Sequence, residues 1–372
     1  MRNPGRSSSD EQVRRAPRDR PPAVSVGLPV YNGERYVAEA IESVLGQTLE
    51  DLELIVCDNA STDATEAICR EFAARDRRLR YDRSDTNLGA APNFNRAFRR
   101  ASAPYFKWIA ADDALEETFL ERTLERLEAD RGLVAAGTGY LVVDELAGTT
   151  VEPAYDHEFT SPRPAERLRK LFDQADGGEH LVWAVTRSAV LERIGLFQAF
   201  VRADFYLAVC LLLQGPVGFV SEPLNRLRVH EETYSWKLRR ENEGRDNMQG
   251  PAEAAWWDTR GVQRGARLPE WALLTRLARL AATAPLPLRE RLEIMAVLGT
   301  PYARRQAVIL TKELAFGIGL GPAYLRVRDA RDRVRGMRPT QASGAASAKI
   351  DSSVEHGSEI TEHSPVRSPR PR

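Results

Sequence analysis

The 372-residue chain has few cysteines, no net charge and no long apolar run, and each shortage narrows what it can do. Its three cysteines, Cys57, Cys69 and Cys210, lie far apart in apolar or helical surroundings. That spacing builds neither a disulfide framework nor a zinc site, so a reducing compartment is expected. Basic and acidic residues number 53 each, and the zero balance gives no support for a nucleic-acid partner. The most apolar later stretches are 205–213, too short for a bilayer, and 307–320, short and interrupted by Lys312 and Glu313. The arginine-rich N-terminus has no apolar core behind it, so no secretory signal is read. A soluble protein is expected, with contact at a membrane surface and homo-oligomerisation left open. No G-x-G-x-x-G follows the first apolar run, which argues against a dehydrogenase.

The stretch that organises the rest is 105–115, YFKWIAADDAL. Its aromatic and β-branched lead favours a strand. That strand runs out into two adjacent carboxylates, Asp112 and Asp113. Open α/β sheets bind ligands at the carboxyl ends of their strands. Hard divalent cations take oxygen ligands there and travel with substrate phosphates. A plain turn rich in aspartate is the competing reading.

Upstream, residues 1–22 are rich in Arg, Pro, Ser and Asp and are expected to be disordered. AVSVGL at 23–28 reads as a strand ended by Pro29 and Tyr31-Asn32-Gly33. Apolar residues at helical spacing follow across 34–46. ELIVC at 53–57 is a second strand, opening into Asp58-Asn59, with Ser61 or Thr62 placed to cap a helix over 64–74. A third strand over 78–82, a turn at 87–89 and a helix over 93–101 lead to the strand at 105–109. This alternation predicts an α/β fold with a mostly parallel sheet and helices on both faces. Right-handed crossovers then bring the polar strand ends to one edge.

Beyond it, 117–130 is an amphipathic helix, 133–143 a strand and 144–164 a long loop. A helix over 165–174, a polar turn at 176–180, a strand over 181–185 and a helix over 186–194 follow. Glu179 and His180 sit where a turn can line an acceptor pocket. Asp204 precedes the long apolar run 205–213, read as a buried helix, where the dipole favours a negative charge. A short edge strand over 217–220 and an extended run over 223–230 follow, and in the latter Arg228 and His230, two apart, share a face. Residues 231–265 read as a flexible connection, 266–330 as a helical region and 331–372 as a disordered tail. The helical region's apolar faces suit core packing, a second subunit or a membrane surface.

Taken in order, VSVGLPVYN at 24–32, SVLGQT at 43–48, LIVCDNASTDAT at 54–65, NLGAAPNFN at 87–95 and IAADD at 109–113 resemble the inverting glycosyltransferases of family 2. The resemblance is close to about residue 140 and weaker to His230. It implies a GT-A fold over 23–230: a Rossmann-like, mixed, mostly parallel sheet, with a nucleotide-binding half at 23–115 and an acceptor half at 116–230. The helices after 266 are then a C-terminal extension. It implies donor contacts at Pro29, Tyr31, Asp58, Asn59, Arg83, Asn95, Asp112 and Arg228. Asp113 and His230 are implied to hold a divalent cation, Mn²⁺ or Mg²⁺, and Asp204 to act as the base. Three departures stand out: Asn59 where an acid is common, Ala110 ahead of the aspartate pair, and Ala203 ahead of Asp204. An amide both donates and accepts where a carboxylate only accepts, so the nucleobase is left undecided.

The resemblance implies a nucleotide-diphospho-sugar donor and a carbohydrate, lipid-linked or small-molecule acceptor. With an Arg- and Ala-rich composition it suggests a bacterial enzyme of cell-surface polysaccharide synthesis, cytoplasmic or at the inner face of the membrane. One rival is an inactive nucleotide-sugar-binding or scaffold protein, favoured by Ala110 and Ala203. Another is a sugar-phosphate nucleotidylyltransferase, disfavoured because 29–35 holds only one glycine.

Overall fold

The computed structural model describes residues 20–153, 158–174, 179–233 and 269–303, with 306, 307, 310, 311 and 314. The irregular segments expected at 1–22, 231–265 and 331–372 fall largely or wholly outside those residues.

Strands β1 (Val24–Val30), β2 (Leu52–Asp58), β3 (Leu79–Arg83) and β4 (Tyr105–Trp108) pair in parallel in the order β3-β2-β1-β4. Helices α1 (Val37–Leu45), α2 (Thr65–Arg75) and α3 (Ala90–Arg99) connect them. The sheet continues through β8 (Val185–Arg187), β6 (Ala135–Asp144), β9 (Val217–Val229) and β5 (Ala114–Leu115). β7 (Thr149–Val151) hangs on β6, inside the stretch expected to be loop. The result is the expected α/β architecture, a mixed sheet whose first half is parallel throughout.

Strand alternation builds two cores. Val24, Val26, Leu28 and Val30 of β1, with Tyr105 and Ile109, face α1, α2 and α4 (Phe119–Ala129). Phe106 and Trp108 point the other way, towards α3, α5 (Pro164–Asp173), α6 (Ser188–Ile194) and α7 (Ala203–Gln214). Helices α8 (Pro269–Thr283) and α9 (Leu288–Val297) join this second core through Leu273, Leu277, Ala281, Ile294 and Val297. Among the described residues no helix is long and apolar enough to cross a membrane.

Gly27 sets how closely α3 lies on β1. A Cβ there would stand 2.6 Å from Phe106 Cζ and 2.9 Å from Ala97 Cβ. Gly27→Ala is therefore expected to destabilise the fold by about 1–3 kcal/mol, the usual cost of overpacking, read as a lower urea midpoint.

Three local expectations change. Residues Glu179–Trp183 form a 3-10 turn, and the strand begins only at Val185. Leu181 and Val182 are both buried, a pattern that a half-buried strand does not give. The two short strands expected over 217–230 are one, lying between β6 and β5 rather than at an edge. A bulge lets it pass Pro223: the register slips between Thr138 and Tyr140, where a Cβ on Gly139 would meet Ser221 O at 2.9 Å. Helix α2 is capped by neither Ser61 nor Thr62. Asp63 Oδ1 accepts the Thr65 N–H and Glu34 Oε2 accepts the Ala64 N–H.

Candidate active site

The loops leaving the carboxyl ends of β1, β2 and β4 are tied together. Ser61 Oγ accepts the Asn32 N–H, Asn32 Oδ1 accepts the Thr62 N–H and Thr65 Oγ1 accepts the Gly33 N–H. A Cβ on Gly33 would lie 3.6 Å from Ala111 Cβ, so the first loop also touches the one carrying the aspartates. Asn32 and Ala60 adopt positive φ in these turns.

Within this edge the named residues divide by how their polar atoms are used. Asp58 is buried; its Oδ1 takes the Ser61 N–H and its Oδ2 the Tyr81 hydroxyl. Arg83 reaches Glu66 at 3.0 Å and the Ser61 carbonyl at 3.0 Å. Asn59 donates to Asn87 Oδ1 and the Gly89 carbonyl, and accepts the Leu88 N–H. A carboxylate could not donate to Gly89 O, which gives the amide at this position a structural reason. Asn95 clasps the Phe197 backbone with both edges, at 2.7 and 2.9 Å. Pro29 is buried in β1, paired with Cys57, while Tyr31 stands 49% exposed at the strand end.

Asp112 and Asp113 part company. The Asp112 side chain is 31% exposed, and its Oδ2 lies 3.2 Å from His230 Nε2. Asp113 is turned inward, where its Oδ1 accepts the Arg228 N–H at 3.0 Å. Burial, then the charge of Asp112, pushes the Asp113 carboxyl well above its usual range, against the Arg228 N–H and the field of Lys107. Lys107 is itself buried, donates to the Trp183 carbonyl at 2.7 Å and sits 4.3 Å over Phe119. Burial lowers its pKa to about 7. The expectation had put the metal on Asp113; the geometry gives Asp112 the contact with His230 and the greater exposure.

Arg228 is gripped on all sides. Its guanidinium meets Glu39 at 2.6 Å, Glu145 at 2.7 Å and the Asp112 carbonyl at 3.0 Å, and lies 4.6 Å over Tyr36. Tyr36 donates its hydroxyl to Glu145 at 2.5 Å, and its ring lies 4.5 Å from that of His230. Burial, with Glu145 adding to it, raises the Tyr36 hydroxyl to about 12. Sequence reasoning missed Tyr36, Glu39, Lys107 and Glu145. Only Lys107, a lone charge within an apolar strand, carried a visible signal.

His180 is the second residue of the 3-10 turn, with its ring 4.2 Å from that of Tyr140. It lines a small open pocket with Phe119, Tyr140, Trp183, Phe219 and Asn225. The side chain of Glu179 lies outside what is described. Asp204 is the second residue of α7, its Oδ1 accepting the Phe205 N–H at 2.8 Å. Burial raises its pKa, opposed by that N–H and by Arg202. No hydrogen bond or ion pair joins it to Asp112 or Asp113 among the described residues.

A divalent cation fits this edge in one way. No cluster of three or more His, Cys, Asp or Glu side chains forms a closed cage among the described residues. An exposed carboxylate beside an imidazole instead offers a partial set, which suits a cation that takes its remaining ligands from substrate phosphates and water.

The Glycosyl transferase family 2 model matches residues 25–195, a span that takes in β1 to β4 and the Asp112-Asp113 loop. Over that segment the chain is similar to glycosyl transferase family 2. Family 2 is a family of transferases. Relatives include EpsE of Bacillus subtilis, named as a glycosyltransferase, 39% identical over 126 residues, covering 34% of this chain and 45% of EpsE. Glycosyltransferase RT0329 of Rickettsia typhi is 28% identical over 219 residues, covering 56% of this chain and 65% of RT0329. The chain thus spans less than two thirds of either relative. The structure of Staphylococcus aureus TarS residues 1–349 with UDP-GlcNAc superposes with a TM-score of 0.51 at 15% identity, covering 85% of this chain and 93% of that one. That likeness places the family 2 segment within the GT-A fold.

Proposed function

We propose that the chain transfers a sugar from a nucleotide-diphospho-sugar to an acceptor hydroxyl, inverting the anomeric centre. The observation that carries the reading is the tied carboxyl edge of β1, β2 and β4, with the exposed Asp112 carboxylate facing His230. Pro29, Tyr31 and the turns held by Asp58, Asn59, Arg83 and Asn95 shape the nucleotide side. Asp112 and His230 hold Mn²⁺ or Mg²⁺, with Asp113 pinning their loop through the Arg228 N–H. The cation, when bound, offsets charge on the departing diphosphate. Asp204 takes the acceptor proton, and the pocket beside His180, with Glu179 at its turn, receives the acceptor.

In this reading residues 23–230 form the catalytic unit, with 23–115 serving the donor and 116–230 the acceptor. The relative from Escherichia coli named chondroitin synthase, 33% identical over 146 residues, supports a role in bacterial surface polysaccharide or glycoconjugate synthesis. The chain would then work in the cytoplasm at the inner face of the membrane, on a carbohydrate or lipid-linked acceptor.

A thermal-shift screen of UDP-, dTDP- and GDP-sugars, with and without Mn²⁺, tests the donor. One nucleotide class is expected to raise Tm by several degrees, and to do so fully only with the cation. Saturation at about 100 Kd adds roughly 2.7 kcal/mol to stability, enough for such a shift. Absence of a shift for every class would overturn the reading. A shift without slow donor hydrolysis would instead favour an inactive binding protein.

A further inference from the structure

The family match stops at residue 195, yet a chain of buried contacts runs from the later helices to Asp204. Arg202 precedes α7 in the left-handed region, at φ 63° and ψ 36°. Its Nη1 lies 3.2 Å from Glu270 Oε1 on α8, the two side chains being 14% and 2% exposed. The same guanidinium sits 4.5 Å over the Phe205 ring, and Phe205 N–H donates to Asp204. Tyr302 donates its hydroxyl to the other oxygen of Glu270 at 3.1 Å and stacks on Phe205 with centroids 5.8 Å apart. Docking alone does not explain this network. Leu273, Leu277, Ile294 and Val297 already bury α8 and α9 in the core, and apolar residues generally pack there at least as well as an ion pair.

We infer that Glu270 is a positioning residue: it holds the Arg202 guanidinium against Phe205 and keeps that cation from neutralising Asp204. The inference rests on Asp204 being the base of the proposed transfer. A base needs a carboxylate that still binds a proton readily, and a free guanidinium alongside would remove that property. Glu270 compensates the arginine charge, so the α8–α9 pair becomes part of the machinery that activates the acceptor. The other charged groups on elements packed against α7 are committed elsewhere or point outward. Arg167 of α5 donates to the Leu212 carbonyl at the far end of α7, and Arg276 of α8 lies over Phe200. Glu192 and Arg193 of α6 are exposed, and His180 of the 3-10 turn stacks on Tyr140.

The test is the titration of Asp204 itself, read by NMR on the full chain carrying carboxyl-¹³C aspartate. Its resonance is assigned by its loss in Asp204→Asn. In Glu270→Gln the midpoint should fall by about one pH unit or more, the usual effect of an opposite charge released nearby. In the double variant Arg202→Gln, Glu270→Gln, which removes both charges of the pair together, the midpoint should return to the native value or above it. A midpoint unchanged in folded Glu270→Gln, or one as low in the double variant as in Glu270→Gln, would overturn the inference. This readout needs neither donor nor acceptor. If Asp204→Asn kept full turnover while these shifts appeared, the assignment of the base would fail and the electrostatic link would stand.

Discussion

Asp204→Asn is expected to lower turnover by about 10²–10⁴-fold while leaving nucleotide binding intact, the range over which a positioned general base contributes. The carboxyl group begins a helix that is apolar on nearly all sides, and burial raises its pKa. Raised affinity for a proton is what acceptor activation requires. The Phe205 N–H and the helix dipole keep the charged form accessible at the same time. The substitution also has a predicted signature in stability. A carboxyl whose folded pKa exceeds its unfolded value binds more protons when folded, so its contribution is greatest at acid pH and is lost as pH rises through the folded pKa. Asparagine carries no such loss. The variant should therefore gain on the native chain as pH rises from acid to neutral, seen as a growing Tm difference in its favour. Initial rates with Mn²⁺ and calorimetry with nucleotide check the first half of the expectation. Turnover equal to that of the native chain would remove Asp204 from the mechanism.

The sheet was legible because each early strand ends in a loop of a different kind. Pro29 with Asn32-Gly33, Asp58-Asn59 and Asp112-Asp113 all punctuate short apolar runs, and parallel crossovers leave them only one edge to share. The second half was less legible, for two physical reasons. A proline normally interrupts a strand, and here a bulge against Gly139 carries β9 past Pro223 to pair with both β6 and β5. A short apolar run such as 181–185 has no periodicity long enough to separate a strand from a 3-10 turn. Within the site, the positions were legible but several roles were not. Asn59 and Asn95 were expected at the nucleotide, and their amides are occupied by backbone groups of this chain. Glu145 and Glu270 carried no local signal, since each acts on residues more than 30 positions away.

The second large effect is expected at Asp112. Asp112→Ala should abolish the Mn²⁺-dependent gain in nucleotide affinity, a loss of at least the roughly 10–100-fold that follows removal of a metal ligand's outer partner. Asp113→Ala should behave differently, although the two residues are adjacent and chemically alike. Asp113 is buried, and its carboxylate receives the Arg228 N–H, so its removal strands a backbone donor and should cost about 1–3 kcal/mol of stability. Arg228 would still be held by Glu39 and Glu145, and His230 by its contact with Asp112 and its packing on Tyr36. Some Mn²⁺-dependent binding should therefore survive in Asp113→Ala and vanish in Asp112→Ala. Calorimetric titration of nucleotide with and without Mn²⁺, beside urea unfolding of both variants, separates the two carboxylates. The reverse pattern would move the cation to Asp113 and require the pair to turn over when donor binds, because the present rotamers aim only Asp112 at His230.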